Sequence, residues 1–146
     1  MWVKKIIGAR SAVATALLAA LSVACSPSAP MENVRIQSDA VIWKGSSSDG
    51  KVTAYLLRTF EGGATGDTLN DLVIGDAGQS HGRLVLRCDA GGPDSPLAPA
   101  WHGNVLYVKY SAATIWAFSN TYLYGRGASA RTYEIVLEKQ SRGAVQ

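Results

Sequence analysis

From Met31 onward, hydrophobic residues recur with a period of two in short runs, and clusters of Gly, Asn, Asp and Ser bound each run. This constrains the fold more than any other feature, because side chains alternate faces along a strand but share a helix face only every three or four residues. The runs predict strands over Val34–Ser38, Ala40–Lys44, Lys51–Phe60, Asp71–Gly75, Gly82–Cys88, Asn104–Tyr110, Thr114–Ser119 and Thr132–Lys139. Turn residues separate them, including the Asp49-Gly50 hairpin signal, His102 to Asn104, and Gly125 to Ala128. The expectation is an all-β fold, or a β-rich one with at most one short helix, as a single antiparallel sandwich or barrel-like domain. Ser111–Phe118 is the stretch where a helix competes, since Ala112, Ala113, Ile115, Trp116 and Ala117 also suit two helical turns.

The faces of these runs predict their places in a sheet. Lys51–Phe60 carries apolar groups on both faces, with Val52, Ala54 and Leu56 opposite Tyr55 and Leu57, and Asn104–Tyr110 does the same. Both are expected to be central strands. Thr132–Lys139 alternates cleanly, with Tyr133, Ile135 and Leu137 on one face and Glu134 and Glu138 on the other, which predicts an edge or a solvated face. A chain of 146 residues holds one ordinary domain, and 47% hydrophobic with 17% charged residues suits a globular one.

The formal charge of +3 points to nucleic acid or anionic lipid only until the charges are located. Three of the basic residues are Lys4, Lys5 and Arg10; after Cys25, eleven basic residues face eleven acidic ones. The body is neutral, and no nucleic-acid partner is expected. Lys4, Lys5 and Arg10 precede an uncharged stretch, Ser11 to Ala24, as in a secretory signal peptide. Fourteen helical residues rise only about 21 Å, short of the roughly 30 Å hydrocarbon core. The expected division is therefore 1–24 signal peptide, 25–31 lipidated Cys and flexible tether, and 32–146 β-rich globular domain.

Ser22, Val23, Ala24 and Cys25, followed by the tether Ser26, Pro27, Ser28, Ala29 and Pro30, resemble the lipobox of bacterial lipoproteins. Ser22 stands where that signal usually has Leu. The resemblance implies cleavage before Cys25, lipidation of Cys25 as the new N-terminus, and a membrane anchor. With Ser26 rather than Asp after the Cys, it implies, in a Gram-negative cell, the outer membrane facing the periplasm. More than one acyl chain makes such anchoring stable. Ser22-Val23-Ala24 is also a small-x-small site for ordinary signal peptidase, which would give a soluble periplasmic or secreted protein. In that case Cys25 and Cys88 become available for a disulfide; with Cys25 acylated, Cys88 reads as a buried structural thiol.

Two further resemblances lie in the body. Ser47, Ser48, Asp49, Gly50 and Lys51, leading into Val52–Tyr55, resemble the turn and strand of TolB-like propeller blades, echoed by Trp101, Gly103, Asn104 and Leu106. About 115 residues are too few for four blades of roughly 40, so the likeness implies shared hairpin chemistry rather than a propeller. Asp49-Gly50-Lys51, then Gly62 to Asp67, Val73 and Ile74, Trp101 and Val108 to Tyr110, resemble an uncharacterised group of small bacterial membrane-anchored or lipoprotein domains with S-P-D-G-K and G-G-A-T-T segments. That resemblance implies an envelope location and a β fold, and no activity.

Candidate chemistry is sparse. Gly62, Gly63, Thr65 and Asp67 form a glycine-rich loop whose backbone amides suit a ligand, but it lacks the Lys and the following helix of a phosphate loop. His81 and His102, with Asp76 or Asp89, lack diagnostic metal spacing, and no metal or cofactor is expected. Ser80 adjoins His81 without a nucleophile elbow, and adjacency is expected to point the two side chains apart. Tyr122, Tyr124 and Arg126 bring the Tyr and Arg mixture of interfaces to one predicted loop, as a candidate contact for an envelope protein partner. The residues thus point to a membrane-anchored envelope lipoprotein acting as a non-catalytic binding or structural module. The alternatives are a small secreted hydrolase or metal-dependent enzyme, and an inhibitor or immunity lipoprotein.

Overall fold

A computed structural model describes residues 32–60, 68–89 and 97–140. Among them the chain forms ten strands and one short 3₁₀ turn, Gly127–Ser129. The strands are β1 (Asn33–Arg35), β2 (Val41–Ser46), β3 (Val52–Phe60), β4 (Thr68–Asp76), β5 (His81–Asp89), β6 (Ala98–His102), β7 (Val105–Tyr110), β8 (Ile115–Phe118), β9 (Thr121–Tyr124) and β10 (Arg131–Lys139). The all-β expectation holds. Of the stretch Ser111–Phe118 where a helix competes, Ile115–Phe118 is strand β8, because pairing with β5 places Phe118 beside Leu86 and Ala117 beside Arg87.

The strands make two sheets. The first runs β1-β5-β4-β3-β2, with β8 sharing the outer edge of β5; the second runs β6-β7-β10-β9. All pairs are antiparallel except β7 with β10, which are parallel. The sheets face each other without closing into a barrel. Between them lie Val52, Ala54, Leu56, Leu72, Ile74, Val85, Leu86 and Cys88 of the first sheet and Leu106, Val108, Tyr133 and Ile135 of the second. Full burial of each large aliphatic side chain in such a layer contributes about 1.5–3 kcal/mol.

A second cluster occupies the opposite face of the first sheet: Tyr55, Leu57, Val73 and Leu84, covered by Val34, Ile36, Ala40 and Val41. The cover is possible only because the sheet curls. Ile36 donates its amide to Ser80 O, and Ala40 O accepts from Arg58 N, both at 2.8 Å, so residues 36–40 link one end of β5 to the far end of β3. Four peptide steps reach about 14 Å, whereas a flat sheet would require about 20 Å along the strands in addition to two strand spacings. Register shifts at Val41/Trp43, Leu72/Val73 and Arg87/Cys88 supply the extra twist. At this bend β4 and β5 approach so closely that a Cβ on Gly82 would lie 2.6 Å from Val73 Cγ1 and 2.9 Å from Ile74 O.

The expected central strands β3 and β7 are indeed interior to their sheets, although the most enclosed strand is β4, buried from Leu69 to Gly75. For β10 the solvated face is found and the edge is not: β10 lies between β7 and β9. Two strands went unforeseen. Edge strand β6 contains Pro99 and two alanines of low strand propensity, and β9 is four residues long and sits inside what reads as a loop.

Candidate functional site

The connections β2–β3, β4–β5, β6–β7 and β9–β10 gather at one end of the sandwich, and Asp49 organises it. The β2–β3 turn needs Gly50 at φ +67°. In the turn Asp49 Oδ1 accepts the Ser47 hydroxyl at 2.7 Å and the Lys51 amide at 3.2 Å. Its Oδ2 reaches the second sheet, accepting from Tyr133 OH at 2.8 Å and Arg131 Nη1 at 3.0 Å. The Ser47 hydroxyl foremost, then Tyr133, the Lys51 amide and Arg131, hold the Asp49 carboxyl well below the usual carboxylate range against the opposing effect of desolvation. Burial and the Asp49 charge push the Tyr133 phenol up to about 12. The Tyr133–Asp49 bond that joins the two sheets at this carboxylate contributes to both shifts.

Aromatic rings pack around the clasp. Trp101 meets Tyr133 edge-on at 5.9 Å and donates Nε1–H to Gly45 O at 3.0 Å, and Tyr122 lies 6.4 Å from Tyr133. Ser48 N donates to Gly103 O, so the β2–β3 and β6–β7 turns sit side by side. Lys51 Nζ stands 5.9 Å over the Tyr124 ring.

The candidate partner residues are therefore divided. Tyr122 and Tyr124 are half-buried and packed against the main core, and burial, then the Asp76 charge, raise the Tyr122 phenol. Arg126 is exposed just before the 3₁₀ turn, and the apolar side chain that β9 offers to water is Leu123. Gly62, Gly63, Thr65 and Asp67 lie outside the described residues, as do Cys25 and any Cys25–Cys88 bond.

Ser80 Oγ and His81 Nδ1 are 3.0 Å apart, so the two neighbours meet where adjacency was expected to separate them. The β4–β5 turn bends the chain between them. Both are exposed, and water there weakens any electrostatic help to a developing charge. His102 instead stands edge-on to Tyr107 at 5.4 Å. Among the described residues, no group of three or more His, Cys, Asp or Glu is arranged to hold a metal ion. Cys88 is buried, and burial followed by the Asp89 and Asp71 charges pushes its thiol up to about 11, away from the reactive thiolate.

Two features escaped sequence reading. The Asp49–Arg131–Tyr133 clasp joins residues 82 and 84 positions apart; Asp-Gly read only as a turn. A shallow groove of about 590 Å³ crosses the outer face of the second sheet over Ala98, Ala100, His102, Tyr107, Lys109 and Glu138. Its only sequence signal was small residues at Ala98 and Ala100 opposite a strand bearing Tyr107.

Compared with models of protein families, with curated proteins and with solved structures, the chain matches none.

Proposed function

We propose that this protein is an exported bacterial envelope lipoprotein, anchored through acylated Cys25, whose sandwich serves as a non-catalytic binding or structural module. The observation that carries this reading is the run from Lys4 to Pro30: a basic start, an uncharged small and apolar stretch, a small residue before Cys25, and a Ser- and Pro-containing spacer. The domain is suited to such a position. The first described residue, Glu32, lies seven positions after Cys25, and the Asp49 clasp ties the two sheets together. No helix among the described residues is long and apolar enough to cross a membrane.

The test is an intact mass on the mature chain from fractionated cells, beside Cys25→Ala. The expected product is membrane-bound, begins at Cys25 and carries acyl mass that the variant lacks. A soluble product beginning at Cys25 without added mass overturns the anchor. The Ser80–His81 hydrogen bond is the one observation favouring a secreted hydrolase instead. Hydrolytic activity abolished by His81→Ala in a folded chain would establish that rival.

A further inference from the structure

Four of the six large apolar side chains exposed among the described residues lie at one corner: Ile115, Trp116 and Phe118 of β8, 37%, 53% and 39% exposed, and Leu123 of β9, 58% exposed. Only Ser119 and Asn120 separate these strands. Ser119 N donates to Val85 O in the first sheet, and Asn120 O accepts from Ile135 N in the second, so the chain turns the corner between sheets there. Exposed apolar side chains of this size on two consecutive strands at one corner mark a contact surface.

The start of the described chain identifies what lies opposite. β1 and β8 share the same outer edge of β5. Glu32 O accepts from Leu84 N, and the next residue of β5, Val85, accepts from Ser119 N, so Glu32, the first described residue, lies beside the end of β8. Seven residue steps separate Glu32 from Cys25, a reach of at most about 25 Å. An acyl anchor at Cys25 therefore keeps the β1/β8 edge within about 25 Å of its point of attachment to the bilayer, and that edge is the one bearing Trp116 and Phe118. Trp is favoured at membrane interfaces, where its ring is apolar and its N–H remains wet.

We infer that Ile115, Trp116, Phe118 and Leu123 form a membrane-contacting corner that seats the anchored domain on the lipid surface in a fixed orientation. The inference rests on the lipoprotein reading above, and its occupant is the bilayer.

The experiment reconstitutes the mature chain, with its acylation verified by mass, into vesicles of phosphatidylethanolamine and phosphatidylglycerol carrying a nitroxide quencher near the lipid glycerol. The mature chain has three tryptophans, Trp43, Trp101 and Trp116. The expected result is lipid quenching of tryptophan emission in the native protein that is lost in Trp116→Phe, with unchanged circular dichroism. In unlabelled vesicles the Trp116 emission is expected to be shielded from aqueous iodide. Acylated protein whose emission is unquenched by lipid overturns the membrane corner and leaves the lipoprotein reading standing. Shielding from iodide without lipid quenching overturns it in favour of a protein partner or second copy. A chain with no acyl mass overturns both readings.

Discussion

Asp49 joins the two sheets through one carboxylate, which accepts from a hydroxyl and an amide in its own turn and from a phenol and a guanidinium in the other sheet. Its contribution has a pH signature. A carboxyl held below its ordinary value stabilises fully above the unfolded pKa, near 4, and loses that contribution as pH falls toward the lower folded value. The difference in Tm between native protein and Asp49→Asn is thus expected to be constant above about pH 5 and to shrink as pH falls from about 4 toward 2. Thermal melts across that range check it; a gap unchanged to the lowest pH means the ionised carboxylate is not what holds the clasp. The sequence showed the turn, since Asp-Gly chemistry is local. It did not show Arg131 or Tyr133 as partners, since only the packing of the second sheet brings them there.

Between elements, the β4–β5 pair carries the most enclosed charge. Arg87 Nε and Nη2 each reach the Asp71 carboxylate at 2.8 Å, and Nη1 reaches Glu32 at 3.4 Å. The Asp71 side chain is 6% exposed. The Asp71 carboxylate holds the Arg87 guanidinium still further above its ordinary range. Removing one partner strands a buried charge, so Arg87→Met is expected to cost about 3 kcal/mol, while the double variant Asp71→Leu/Arg87→Met regains most of it. Urea unfolding of the four proteins closes the cycle, and additive losses would show that the two side chains stand independently. Alternation read these strands correctly as elements, yet missed β6 and β9. Pro99 and the brevity of Thr121–Tyr124 suppress the local signal, and it is pairing with β7 and β10 that makes them strands.

For the whole molecule, the layer between the sheets ties all the long strands into one unit. Leu106, Val108, Tyr133 and Ile135 pack on residues of β3, β4 and β5, and the parallel β7–β10 pair forms only after the intervening 20 residues have looped back. One cooperative transition follows, with far-UV and near-UV signals melting together, since Tyr133 and Trp101 lose their packing only when both sheets part. Refolding is expected in the millisecond-to-second range typical of non-local β pairings. Stopped-flow fluorescence measures it; separate melts for backbone and aromatic signals would mean that the sheets fold apart.

The sequence by itself determined the fold class, the positions of most strands and the even balance of charge after Cys25, because alternation, turn chemistry and charge are local properties of the chain. The tertiary structure alone decided the rest: the two-sheet order with its parallel pair, the curl that builds a second core, the Asp49 clasp, and the meeting of β1 with β8. Each of these joins residues remote in sequence, and hydrogen-bond register and side-chain packing, not local propensity, select which remote residues meet.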